Sequence, residues 1–435
     1  MSIAKGFTEG SRDSANPSDK VNEKIFLVGA ELKSKTHWDV QESLEELASL
    51  AKTAGGEVVG QGIQKLDRPY AGTFIGKGKA EQFAAECDDK EVDTVIFDDE
   101  LTPGQGRNLE QIFDRKLIDR TSLILDIFAQ RARTREGKLQ VELAQLQHLL
   151  PRLTRFWTHL SRQKGGIGMR GDGESQLETD RRRIQDRISR LASELEGVRK
   201  HRSVQRQGRR RNNWPLASIV GYTNAGKSTL LNALTGADVQ AEDKLFATLD
   251  PTTRKLRLDT NQKVLLSDTV GFIRKLPHRL VEAFKATLEE VSEADLLVHV
   301  VDVSHPLADQ QIDAVNEVLS EIGAQEKPTL MVFNKIDQLE TPDLLNRYSD
   351  RFTPSVGVSA ANELGFDALK AHLSNSLRPI REILSLKVPV HETSVIARIH
   401  EIGQVVTLEY EDSIAQIEAR IPPHRLEEFA AYTKG

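Results

Sequence analysis

The chain has 435 residues, a net charge of −6, and 38% hydrophobic against 29% charged residues, which fits a protein of several globular domains and excludes a fibrous or low-complexity one. Its lone cysteine, Cys87, excludes an internal disulfide, and its longest apolar run, Leu296 to Val303, is too short to span a bilayer. No Cys/His spacing suggests zinc.

Residues 1–22 are rich in Ser, Asp, Asn and Lys and lack an apolar segment, which predicts a disordered tail with neither signal peptide nor anchor, and a cytoplasmic location. Residues 23–132 alternate strand-like runs (Ile25 to Gly29, Val58 to Leu66, Val92 to Phe97, Leu117-Ile118) with helical stretches (Gln41 to Ala54, Pro103 to Phe113), the pattern of a small parallel α/β domain. The Gly76 to Lys79 loop is read as a turn with solvated lysines capping a helix in preference to a phosphate or RNA-backbone site, and Asp98, Asp99 and Glu100 as an acidic complement to a helix N-terminus.

Residues 133–208 read as two helices joined by one loop. Leu139, Leu143, Leu146, Leu150, Leu153, Trp157 and Leu160 repeat at three- and four-residue steps, as do Leu177, Ile184, Ile188, Leu191, Leu195 and Val198. An antiparallel hairpin follows, with arms on the order of 35 Å for ~24 residues. Its loop, Ser161 to Glu174, has five glycines, and Arg181 to Arg183 stand one turn into the second helix. Residues 151–211 carry 17 Lys and Arg against 7 Asp and Glu, a local +10 in an otherwise acidic chain, which points to RNA phosphate contact at the tip. The basic run Arg199 to Arg211 is read equally as a solvated flexible connector or a second RNA contact.

Residues 209–380 hold the densest chemistry. The apolar run Leu216 to Val220 precedes Gly221, Tyr222, Thr223, Asn224, Ala225, Gly226, Lys227, Ser228 and Thr229, and an apolar helical run follows. The two glycines let the backbone turn its N–H groups inward at a helix N-terminus, which favours polyphosphate. Lys227 then reaches the β- and γ-phosphates and Ser228 ligates Mg²⁺. Asp268, Thr269, Val270 and Gly271 end the next strand, so Asp268 lies beside that cradle and holds Mg²⁺ through a water, while the Gly271 N–H meets the γ-phosphate. Asn334, Lys335 and Asp337 follow the strand Thr329 to Phe333. A carboxylate at Asp337 accepts the paired N1–H and N2 hydrogens of guanine, which adenine lacks. Ser359 and Ala360 would offer backbone N–H to the guanine O6. GTP or GDP with Mg²⁺ is the expected ligand.

These motifs in this order resemble the guanine-nucleotide-binding domain of the translation-factor-like P-loop GTPases over roughly Trp214 to Leu377. Phe246, Ala247 and Thr248 open the stretch to Arg254 that would be its first switch segment. By similarity Thr252 binds Mg²⁺ through its hydroxyl and the γ-phosphate through its N–H, with Thr253 as the competing choice. Lys227, Thr252 and Gly271 are thus the expected catalytic groups, and Ser228, Thr252 and Asp268 the expected metal ligands. Phe272 stands where many GTPases have a water-orienting glutamine, so slow unassisted hydrolysis is expected. Adding the helical pair with Gly165 to Gly168, Arg170-Gly171 and Gly173 to Glu178, the chain resembles the HflX family from about Lys24 onward. That resemblance implies a GTPase that binds the large ribosomal subunit and its RNA, and whole ribosomes too, inserts the loop toward the peptidyl-transferase region, and splits or rescues stalled ribosomes. No DNA partner and no membrane span are expected. A subunit-assembly factor and a protein-binding switch using the hairpin as a coiled-coil docking arm remain open alternatives.

Residues 381–435 read as a small α+β domain, with short strands at Leu386 to Val390, Ser394 to His400, Gly403 to Tyr410 and Ile414 to Ile421, and a closing helix Arg425 to Tyr432.

Overall fold

The computed structural model describes residues 23–33, 37–156, 172–211, 214–236, 245–258, 262–275, 288–377, 382–411, 413–421 and 423–433. The polar tail 1–22 and the basic loop up to residue 171 therefore lie outside the described residues. Two compact units divide the chain, residues 1–127 with 151–165, and residues 128–150 with 166–435.

In the first unit β1 (Lys24–Leu32), β2 (Glu57–Leu66), β3 (Thr94–Phe97) and β4 (Lys116–Asp119) form an all-parallel sheet in the order β2-β1-β3-β4. The helices α1 (His37–Thr53), α2 (Lys77–Asp89) and α3 (Pro103–Phe113) are the crossovers. β3 is buried throughout and β1 at its seven central residues, as a parallel strand covered on both faces must be. A capping box of Thr102 and Gln105, with Pro103 in the first turn, fixes the start of α3. That leaves Asp98 for another task than the expected dipole complement. Only 2% exposed, it accepts from Arg120 (2.7 Å) and Ser43 (2.8 Å), and Arg120 also pairs with Glu46. At the opening of α2 the Gly76 N–H donates to Gln64 (2.8 Å) and Lys79 lies over the Phe83 ring, 4.7 Å from its centroid.

In the second unit β5 (Leu216–Gly221), β6 (Thr252–Arg257), β7 (Lys263–Asp268), β8 (Leu296–Asp302), β9 (Thr329–Asn334) and β10 (Ser355–Gly357) form a sheet in the order β10-β9-β8-β5-β7-β6, with β6 alone antiparallel. The chain goes from β5 to one side and then returns to the other for β8, so the strand order reverses at the carboxyl end of β5. That is where ligands of open α/β sheets bind. α4 (Arg120–Arg131) leads through a three-residue corner into α5 (Arg135–Phe156), and α6 (Asp172–Arg211) follows. Arg187 grips Glu142 with two 2.8 Å bonds and Arg135 reaches Glu194 at 3.6 Å. One partner rises in number as the other falls, so the two helices run antiparallel. α6 is one helix of 40 residues that continues through the basic run to Arg211, where a flexible connector was one expectation. A single Gly costs a helix only about 1 kcal/mol, so Gly197 and Gly208 do not stop it.

The last segment pairs β11 (Glu382–Pro389), β13 (Ile414–Ile421) and β12 (Gln404–Glu411) as an antiparallel sheet in the order β11-β13-β12. Ser394 to His400, expected as a strand, lies within a helix, Thr393–Ile402. Its β-branched residues suggested a strand, but Val395, Ile396, Ile399 and Ile402 repeat every three to four residues and pack as one stripe on the sheet's core. The closing Pro423–Tyr432 is 3₁₀. Among the described residues no helix is long and apolar enough to cross a membrane.

Candidate nucleotide site

Leu216–Gly221 runs buried into a turn that Gly226 ends with φ +90°, opening α7 (Lys227–Thr235). A Cβ at Gly226 would come 2.2 Å from Asn334 Nδ2, so glycine meets both a backbone and a space requirement. Asn224 and Lys335 also take left-handed conformations, φ +61° and +64°. Such strain is tolerated where the surroundings over-determine it.

Here the second neighbouring strand supplies the restraint. Phe272 is fully buried, its N–H donating to Gly221 O (3.1 Å) while its carbonyl accepts from Thr223 N–H (2.8 Å). Thr269 donates its hydroxyl to Ile219 O (2.7 Å). The stretch 268–272 is thereby tied to the cradle, and Gly271 comes so close that a Cβ there would lie 2.9 Å from Lys227 Nζ. From the far side Asn334 Nδ2 donates to Ala225 O (2.8 Å), and Asn334 Oδ1 accepts from the Ala360 N–H (2.9 Å). One buried side chain thus holds the cradle and the Ser359-Ala360 loop together. The Ser359 N–H donates to Leu364 O (3.1 Å), so in this arrangement both amides expected to face the guanine O6 have protein acceptors. Asp337 is exposed in a 3₁₀ turn, Ile336–Gln338, after Lys335, which pairs with Asp302 at 2.6 Å.

Thr223, Asn224, Gly226 to Thr229, Phe246 to Thr248, Thr269 and Gly271 line one pocket. Lys227 donates to Tyr222 O (2.7 Å), and burial pushes its ammonium down to about 8 although the nearby Asp268 acts the other way. Burial likewise holds the Asp268 carboxyl above its ordinary range, against the pull of Lys227. Both groups lack the water that would favour their charges. Asp268 Oδ2 accepts from Ser228 Oγ (2.6 Å), Ser228 Oγ meets Thr248 Oγ1 at 2.9 Å, and the buried Asp268 Oδ1 has no hydrogen-bond partner among the described residues. Three hard oxygen donors with an unfilled carboxylate oxygen suit Mg²⁺. Thr252 opens β6, and its backbone pairs in register with Asp268. Thr253 donates to Glu290 (3.2 Å), which also accepts from Ser267 (2.5 Å).

Glu290, Asp302 and His299 escaped the reading of motifs. His299 is buried on β8, and burial together with the charge of Lys227 pushes it down to about 4. A lone imidazole inside the apolar run 296–301 was the available signal.

Residues 41–129 match the family described as "GTP-binding GTPase N-terminal", residues 131–209 "GTP-binding GTPase Middle Region", and residues 217–335 "50S ribosome-binding GTPase". The chain is 50% identical over 382 residues to the GTPase HflX of Caldanaerobacter subterraneus, covering 88% of each chain. It is 48% identical to that of Lacrimispora saccharolytica, over 93% of this chain and 94% of the other. To that of Escherichia coli it is 47% identical, over 88% and 90%.

Proposed function

The chain belongs to the HflX family of GTPases, and on that premise we propose that it binds the large ribosomal subunit and couples GTP binding and hydrolysis to the splitting or rescue of stalled ribosomes. In this reading α5 and α6 are an arm, and the loop 161–174 touches ribosomal RNA near the peptidyl-transferase region. The small sheet β11-β13-β12 with its helix is a separate α+β domain. The protein works in the cytoplasm.

The observation that carries the nucleotide part is the single joint made by Asn334, which ties Ala225 of the cradle to Ala360 of the base-side loop. Residues 221–229 cradle the phosphates, Phe246 to Thr248 and residues 268–271 flank the γ-phosphate, and Asp337 receives the guanine on a base side walled by Asn334, Lys335, Ser359 and Ala360. Mg²⁺, when bound, would supply positive charge against the charge that develops on the phosphates. Ser228 and Asp268 would hold it together with a threonine of the first switch segment, Thr252 by family likeness or Thr248 by its bond to Ser228. Lys227, regaining its full charge against phosphate, stabilises the γ-phosphoryl oxygens, and the Gly271 N–H adds a donor. Phe272 has its ring buried and its backbone tied to the cradle, so it leaves water positioning to a partner.

The stripe Ile184, Ile188, Leu191 and Leu195 is already buried, which weighs against a coiled-coil docking face on that side. GTP turnover by purified protein, alone and with purified large subunits, tests the reading. Wild type should be stimulated strongly, and a variant with residues 165–173 replaced by a Gly-Ser linker only weakly. Equal turnover with and without subunits would sink the ribosomal role.

A further inference from the structure

Two residues beyond the pocket-lining stretch 246–248, the side chain of Asp250 engages the corner between α4 and α5. Its Oδ2 accepts from the backbone N–H groups of Arg133 and Thr134, each at 2.9 Å, and its Oδ1 from the Thr134 hydroxyl (2.5 Å). Thr134 precedes α5, and its Oγ1 accepts from the Gly137 N–H (3.0 Å), so the threonine caps the helix and the carboxylate completes the cap with negative charge at its positive end. The fit is tight, since a Cβ on Gly137 would lie 2.5 Å from Asp250 Oδ1. At the other end of the segment the Phe246 ring, 3% exposed, meets Phe128 of α4 edge to face with centroids 4.7 Å apart. Phe246 carries φ +56°, a conformation a bulky side chain adopts only when its surroundings hold it there.

Five consecutive residues thus have their two ends fastened to one helical corner and their middle, Thr248, bonded to Ser228 in the nucleotide cradle. A span of five residues reaches at most roughly 17 Å. Thr248 stands two residues, at most roughly 7 Å of extended chain, from each anchor, so a displacement at the phosphates beyond that reach must move or release an anchor. We propose that residues 246–250 couple the nucleotide state to the α4–α5 corner, with Asp250 and Phe246 as the positioning residues. From that corner α5 continues into its antiparallel pairing with α6, through Arg135 with Glu194 and Glu142 with Arg187. The contacts work in both directions: whatever displaces α5 and α6 also displaces Thr248. If Asp250 were only a helix cap, its bonds to the corner would be the same with either nucleotide.

The coupling rests on the nucleotide-site reading, so GDP affinity is measured first, on the full-length chain. Amide hydrogen exchange over residues 128–144 is then compared between GDP and a non-hydrolysable GTP analogue. Wild type should show a difference in protection of about tenfold, the size set by one charge-assisted hydrogen bond made or lost. Asp250→Ala and Gly137→Ala should erase that difference while GDP affinity stays within about threefold, and Asp250→Asn, whose amide oxygen still accepts both N–H groups, should restore part of it. Equal protection in both wild-type states, or a difference that survives in Asp250→Ala, overturns the coupling. Failure of wild type to bind GDP overturns the site reading beneath it.

Discussion

Lys227 sits in the cradle at an electrostatic cost, because burial leaves its ammonium with about 8 as its midpoint where 10.5 is ordinary. Polyphosphate returns the missing charge and raises that midpoint toward its usual range. The sign follows from linkage. A group whose bound form holds its proton more tightly binds best below the free-state value and loses affinity above it. GDP affinity should therefore be flat below pH 8 and fall by up to about tenfold per pH unit above it, with one proton taken up per nucleotide. Calorimetric titration in buffers of different ionisation heat checks this, and Lys227→Ala should abolish both the binding and the slope.

At the scale of elements, the stretch from Phe246 to Arg257 changes character part of the way along. Thr252 is held in the β6 ladder opposite Asp268, and Thr253 is held by Glu290. Thr248 lies in the loop before the strand, with its hydroxyl on Ser228. Thr252 meets Asp268 only through its backbone pairing, whereas the Thr248 hydroxyl already meets Ser228, which in turn bonds Asp268. Thr248→Ala should thus lower Mg²⁺-dependent turnover by about tenfold or more, the loss of one ligand or charge-assisted bond, and Thr252→Ala by less. A larger loss in Thr252→Ala would return the ligand role to the strand. The misread helix Thr393–Ile402 follows related logic, since spacing outweighs β-branched composition once a sheet supplies a face to bury it.

Across the whole molecule, separate hydrophobic cores serve separate tasks. The first unit is stabilised around Arg120, 2% exposed, which holds the equally buried Asp98. Arg120→Ala leaves that carboxylate in a dry interior and should cost about 3–5 kcal/mol. Chemical denaturation should record the loss, while GDP affinity, built on another core, stays unchanged. A fall in GDP affinity of the same order would mean that the two units do not stand independently.

The sequence by itself determined most of the strands, though neither β6 nor the helix Thr393–Ile402, together with the glycine-bounded turn 221–229, the strand-end position of Asp268, and the place of Asn334 at the end of β9. Each of these is a local matter of period, glycine placement and turn chemistry, which neighbouring residues dictate. Tertiary structure alone decided which distant groups meet. It gave Asp98 to Arg120, Asn334 to both Ala225 and Ala360, and Asp250 to the corner before α5. A single carboxylate looks the same in sequence whether it faces water or caps a helix more than a hundred positions away, because its partner is chosen by burial and by which donors folding leaves within reach.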